Sequence, residues 1–245
     1  IVSDASNFPT DRYVVEGIAA ELGLNLVLID DEVTQDSVGI EHEVVTPERL
    51  APYLNDDVAL VTLSVIAYRS GGRHDVAAIT DMARRHGALT VWDASHAVGA
   101  VPLDFDADGV DLAVGCTYKY LNSGPGAPAW LYVRSDLQPQ LQVPIQGWFA
   151  QADQFAMGPA FERAAGIRGF QVASPSIVGL RAINASLGVI EQAGINAIAD
   201  KAATATNLMI DAYDEWLAPL GFVLLTPRSA TERGGHIRLG HAHAD

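Results

Sequence analysis

An aspartate and a lysine stand where two strand-like runs of this chain end. Residues 90–92 and 112–114 are short, apolar and partly β-branched, the composition that fills the middle of a parallel sheet covered on both faces. Asp93 follows the first run directly, and Lys119 lies just beyond the second. In open α/β sheets the ligand crevice lies outside the carboxyl ends of the strands, so both side chains are expected in one pocket. An amine can condense with an aldehyde, and a carboxylate can keep a proton on a ring nitrogen. A carboxylate and an amine meeting there point to pyridoxal 5'-phosphate (PLP), whose ring withdraws electrons when its nitrogen is protonated. The bare pair is also an ordinary feature of any α/β domain, so it does not decide the matter alone.

The elements that must position the pair can be read along the chain. Residues 1–6 form a strand ending in the loop Asn7-Phe8-Pro9-Thr10-Asp11. Pro9 keeps Phe8 out of the helical region, and Thr10 or Asp11 is expected to cap a helix running to Leu22, with Gly23 at its stop. Strands are expected at 24–29 and 58–65, and short helices after the caps Thr46 and Asp75. Residues 129–133 read as another strand, and 134–169 as an irregular stretch of the kind that serves function or an interface. Helices are expected over 177–193 and 198–213, and a half-exposed strand over 236–240. Strand alternating with helix predicts an α/β fold, a doubly wound and mostly parallel sheet with helices on both faces.

Composition narrows the function classes. The 245 residues are 49% hydrophobic and 18% charged, a globular balance. Fifteen Lys and Arg against thirty Asp and Glu give a net charge of −15, which repels nucleic-acid backbones and anionic lipid. No apolar run is long enough to span a membrane, and no signal peptide is evident, so a cytoplasmic protein is expected. The lone Cys116 reads as a small buried filler at a strand end. An N-terminal Ile in a strand-like run leads us to expect a segment of a longer protein.

The longer strings DASHAVGAVPLD, GCTYKYLNSGPGAP and GWF carry a resemblance. From about Val2 to its end the chain resembles kynureninase, a fold-type I PLP enzyme of the class V aminotransferase-like superfamily, and TYKYLN matches that family's lysine motif. The resemblance implies hydrolysis of L-kynurenine, or of its 3-hydroxy form, to an anthranilate and L-alanine, within tryptophan catabolism and NAD biosynthesis. It implies that Lys119 holds the cofactor and moves the substrate's Cα proton, that Tyr118 contacts the cofactor phosphate and acts as an acid, and that Asp93 pairs with the pyridine nitrogen. Phe8 is implied to cover the cofactor ring, with Pro9, Thr10 and Asp11 completing the FPTD string, and Ser64 and His96 to lie at the cofactor. Trp148 is implied to reach the phosphate bound in a neighbouring subunit, and Ser174 to shape the pocket near the subunit boundary, so a homodimer with shared sites is expected. Two family features, a phosphate-gripping Ser/Thr loop and a substrate-clamping arginine, are expected before Ile1 and after Asp245. On this reading residues 1–185 are the large PLP-binding domain, and 186–245 are a helix and the start of a small domain.

Other chemistries fit less well. Asp93, Ser95 and His96 are sequence neighbours, whereas hydrolytic triads are assembled from distant positions. Gly124-Pro125-Gly126 follows neither nucleotide fingerprint and reads as a tight return after the lysine. His236, His241 and His243 lack partners at metal-ligand spacing and read as exposed strand-end histidines, so no metal is expected. The rival readings are another fold-type I enzyme, a cysteine desulfurase or aminotransferase, and a catalytically silent domain of the same fold. Cys116, in a predicted core strand, does not suit the mobile nucleophile of a desulfurase.

Overall fold

The computed structural model describes residues 1–29 and 43–243. Its centre is a six-stranded sheet: β1 (Val2–Asp4), β2 (Val27–Ile29), β3 (Leu60–Ser64), β4 (Leu89–Asp93), β5 (Leu112–Gly115) and β6 (Trp130–Val133). The strand order is β2-β1-β3-β4-β5-β6, parallel throughout except that β6 runs antiparallel to β5. The apolar run of β3 sits in the middle with residues 61–65 all buried, as a strand covered on both faces requires. Val2, Ile29, Val61, Leu63, Trp92 and Ala113 join Leu50 and Ile79 from the helices in one core. The buried Trp92 indole donates to Thr80 Oγ1 at 3.0 Å, which satisfies its only polar atom.

Helix α1 (Pro9–Leu22) begins differently from the sequence expectation. Neither Thr10 nor Asp11 caps it; Phe8 occupies the cap with an extended ψ of 131° and no side-chain cap bond. Pro9 explains this, because a proline is favoured at the first helical position and holds the residue before it extended. The other caps follow the sequence. Thr46 accepts from Arg49 N at the start of α2 (Pro47–Leu50), Asp75 from Ala78 N at α3 (Val76–Arg85), and Ser176 from Gly179 N at α4 (Ile177–Ala193).

Beyond β6 the chain is largely irregular until α4, which is joined through Gly194 to α5 (Ile195–Ala212). A five-residue π-turn, Tyr213–Leu217, leads to a two-stranded sheet of β7 (Val223–Leu224) and β8 (Leu239–Gly240). The strand expected over 236–240 is therefore only its last two residues, and β7 was not foreseen. Ile210, Tyr213 and Leu224 form a second small core here.

A backbone seam ties this second part to the sheet. Arg73 N donates to Glu232 O at 2.9 Å and Gly234 N to Gly71 O at 2.8 Å, with a bridge between Gly72 and Arg233. Glu43, itself buried, accepts from Ser70 N at 2.8 Å and from Arg238 Nη1 at 2.7 Å, so one carboxylate pins both sides of the seam.

Candidate functional site

Asp93 closes β4 in register with Ser64 of β3 and Val114 of β5. Its carbonyl accepts from Val65 N at 2.8 Å and its Oδ1 from Ser95 N at 2.9 Å, which aims the carboxylate along the strand towards the sheet's carboxyl edge. Lys119 is carried on the loop that follows β5. That loop is held by Thr117 Oγ1 donating to Pro128 O at 2.7 Å, by Ser123 N donating to Thr117 O at 3.0 Å, and by Asn122 N donating to Lys119 O at 2.9 Å. Asn122 takes a left-handed φ of 57°, a conformation asparagine tolerates better than most residues. Gly99 has φ +88° and lies so close to the loop that a Cβ would stand 2.6 Å from Tyr120 O, so the DASHAVG turn and the lysine loop touch backbone to backbone.

Asp11 faces the same place from the first turn of α1. It interacts with both Asp93 and Lys119, and burial first, then the Asp93 charge, push its carboxyl up to about 7, with the Lys119 cation opposing. Its Oδ2 is buried with no partner among the described residues. A hydrogen bond to Asp93 also helps to raise the Asp11 pKa, and such a bond between two carboxyl groups needs a proton on one of them, the state burial favours. The site therefore holds two acids against one amine, with an acceptor oxygen unfilled.

The walls are aromatic. The Lys119 Nζ stands 5.5 Å from the Phe8 ring centroid and 5.8 Å from that of Tyr118. Phe8 is braced edge-on by Tyr68 at 5.2 Å, and its N–H donates to Asn7 Oδ1 at 2.7 Å. That same oxygen accepts from Ser64 Oγ at 2.9 Å, so Ser64 acts on Phe8 through Asn7. His96 is half-buried near Lys119; burial, then the Lys119 and His236 charges, hold its pKa down to about 4, so the ring is neutral at physiological pH.

The structure thus brings Phe8, Asp11, Asp93, His96, Tyr118 and Lys119 together, with Pro9 and Ser64 supporting them. Thr10 is exposed beside Asp11. Among the described residues no hydrogen bond or ring contact ties Trp148 or Ser174 to this group: both are exposed, Trp148 at 46%, and the indole packs edge-on against Phe149 and Phe155. The size of the indole alone would favour burial, yet in the single chain it is exposed. Cys116 is also corrected: it sits just past β5, half-buried, with its thiol towards Ser95 O at 3.9 Å and its N–H on Ser95 Oγ at 3.2 Å. His236 is no exposed strand-end residue. It is half-buried at the site, Nδ1 3.2 Å from Tyr120 Oη, because the seam with residues 71–73 carries it inward. Asn7, Tyr68, Tyr120 and His236 were missed as site residues, and only Tyr120, inside TYKYLN, carried a sequence signal.

An acid at a parallel strand end, a loop lysine opposite and an aromatic lid define an α/β transferase-type site, and the chain belongs to the aminotransferase class-V family, whose profile matches residues 33–242. Within that family it is similar to kynureninases. The Pseudomonas fluorescens kynureninase is 36% identical over 243 residues, covering 98% of this chain and 55% of that protein. The Deinococcus radiodurans kynureninase is 36% identical over 244 residues, covering 100% of this chain and 56% of that protein. The chain spans about half the length of the curated relatives it matches. Among solved structures, a C-DES mutant with glycine covalently linked to its PLP cofactor superposes with a TM-score of 0.81 at 19% identity, covering 98% of this chain and 60% of that one. A cysteine desulfurase from Thermococcus onnurineus gives 0.76 at 20%, covering 99% and 57%. At these identities the likeness concerns the fold, a fold-type I domain.

Proposed function

We propose that the protein hydrolyses L-kynurenine to anthranilate and L-alanine, with PLP held at Lys119. The observation that carries the cofactor is the Asp11–Asp93 pair facing the Lys119 amine, with the buried Asp11 Oδ2 lacking a donor. A protonated ring nitrogen is a donor and a cation, and an acid pair with an unfilled acceptor oxygen suits both properties. PLP, when bound, supplies an electron-withdrawing ring that makes cleavage of a carbon–carbon bond beside a ketone accessible to water. The substrate comes from the similarity to kynureninases, which runs through nearly the whole chain.

The residues divide the work. Lys119 Nζ holds the cofactor and takes and returns the substrate's Cα proton. Asp93 would keep the cofactor's ring nitrogen protonated, and Asp11 would supply a second carboxyl beside it. Phe8, fixed through Asn7 and Ser64, offers a flat apolar face 5.5 Å from the amine. His96 stays neutral, so it adds no charge to compete with the ring's own. Tyr118, exposed with its ring 5.8 Å from the amine, is assigned to the phosphate and to proton donation from its hydroxyl on the strength of the similarity to kynureninases. Trp148 and Ser174 are assigned to the neighbouring site of a homodimer, in keeping with their exposure. We assign residues 1–185 to the large PLP domain and 186–245 to the start of the small one; the six-stranded sheet falls in the first and the two-stranded sheet in the second.

A cysteine-desulfurase reading finds no support at Cys116, whose thiol is turned to Ser95 O. Among the described residues no helix is long and apolar enough to cross a membrane. The test is to load the protein with PLP, add L-kynurenine and follow anthranilate fluorescence with L-alanine by chromatography. Both products in equal amounts support the reading. A PLP-loaded protein that releases neither refutes the activity, and one that takes up no PLP refutes the cofactor as well.

A further inference from the structure

His236 comes to the Lys119 site from a different part of the chain than every other residue there. Its position is fixed on both sides. Gly234 N is bonded to Gly71 O at 2.8 Å just before it, and Arg238 Nη1 to Glu43 Oε1 at 2.7 Å just after it. Its surroundings leave little freedom. A Cβ on Gly71, whose φ is +72°, would stand 2.7 Å from His236 O and 3.3 Å from its Nε2, and a Cβ on Gly235 would stand 3.1 Å from Tyr120 Cε1. The backbone on either side of the imidazole is glycine where a side chain would displace the ring or its partner.

Inside that slot the imidazole touches two site residues. Its Nδ1 is 3.2 Å from the hydroxyl of Tyr120, the residue after Lys119. Its ring centroid is 5.7 Å from that of His96 at an interplanar angle of 51°, and His96 is 6.3 Å from Tyr120 at 66°. The three rings form a closed triangle, so moving one displaces the others. Burial keeps His236 neutral by lowering its pKa, and raises that of Tyr120, so the hydroxyl donates and Nδ1 accepts. The ring proton then sits on Nε2, on the side of the Tyr68 and Arg69 backbone, which favours it there without completing a hydrogen bond of normal geometry.

We propose that His236 is a positioning residue of the Lys119 site, which sets the orientation of the His96 ring directly and through the hydroxyl of Tyr120. The link to catalysis rests on the PLP reading, since it is there that His96 faces the cofactor. The geometric claim stands apart from it.

The experiment compares His236→Leu, His236→Gln, Tyr120→Phe and the Leu/Phe double variant in two ways. Imidazole proton–nitrogen NMR spectra of the cofactor-free protein read the His96 ring itself. The visible band and PLP affinity of the loaded protein read the site. The leucine variant should displace the His96 ring signals at least as far as the phenylalanine one, and both should weaken PLP binding about two- to tenfold, the worth of one ordinary hydrogen bond, and move the band. The double variant should do no more than the leucine one, and glutamine, whose amide oxygen can accept from Tyr120, should restore most of the effect. His96 signals unmoved by both His236→Leu and Tyr120→Phe overturn the proposal, as does glutamine behaving like leucine. If the leucine variant fails to fold, Tyr120→Phe, which removes a single oxygen, decides. A wild-type protein that takes up no PLP sinks the functional reading alone, and the NMR arm still decides the role of His236.

Discussion

Replacing Asp11 with asparagine removes one of the two carboxyl groups that face Lys119, and its consequence can be worked from the site. In the folded, cofactor-free protein burial and the Asp93 charge raise the Asp11 pKa from 3.8 to about 7. The folded state therefore holds this proton more tightly than the unfolded chain does. Stability is undiminished below the unfolded pKa, near pH 4, and is lost as the pH rises through the folded value near 7. Such a shift would cost about 4 kcal/mol for a group sealed from water. Asp11 is only partly buried, and solvent screening reduces this to about 2 kcal/mol. Asparagine keeps the shape without the charge, so the variant should gain about 2 kcal/mol on wild type between pH 4 and pH 8. Urea denaturation of both proteins without PLP at several pH values measures the difference. The downward shifts of His74 and His96 to about 4 are shared and cancel, whereas repulsion from Asp4, one cause of the Asp11 rise, is relieved along with the Asp11 charge. A difference that stays flat across this range would refute the account of the acid pair.

Three further outcomes are expected. Treatment with PLP and borohydride should label Lys119 alone, and Lys119→Ala should abolish the label; peptide mapping that finds it on Lys201, the chain's other lysine, removes Lys119 from its role. Asp111 is buried and accepts from Thr90 N at 2.8 Å, Thr90 Oγ1 at 3.1 Å and the Arg134 guanidinium, so Asp111→Ala should cost about 3–5 kcal/mol in a urea titration, with Asp111→Asn losing less. A cost under about 1 kcal/mol contradicts that account. His74 is buried against Trp92, with neither ring nitrogen hydrogen-bonded among the described residues, although the backbone of Val65 and Ser64 lies close enough to favour a ring proton. Its folded pKa of about 4 means that stability is full above 6.5 and lost as the pH falls through 4. A His74→Leu variant should lack that acid loss, and equal acid sensitivity in the two proteins argues against it.

What was legible in the sequence was what local chemistry dictates. The apolar runs 58–65, 90–92 and 112–114 mark three central strands, and Thr46 and Asp75 mark helix starts that their side chains do cap. The α1 start was misplaced because two candidate caps followed a proline whose own geometry decided the matter. β7 is two residues long with one of them exposed, so it has no periodicity to read. The Asp93–Lys119 pair was visible because strand ends and loops can be read locally. The inward turn of His236 was not, since it depends on backbone bonds from Gly71 and Arg73 to residues about 160 positions away, and no local pattern encodes such a partner. The exposure of Trp148 is illegible for a related reason: size predicts burial on average, but not against which surface.

The seam between residues 71–73 and 232–234 also bears on how the chain folds. Phe8, Asp93, Lys119 and His236 span almost the whole sequence, and the last of them is fixed only when that seam closes. Closing a loop of this length requires the intervening strands and helices to be largely in place, since loop entropy opposes it until they are. The sheet and the lysine loop rest on contacts nearer in sequence, whereas the Tyr120–His236 contact closes a separation of 116 residues. Completion of the pocket wall at His236 therefore carries the largest loop-closure entropy of the site's contacts.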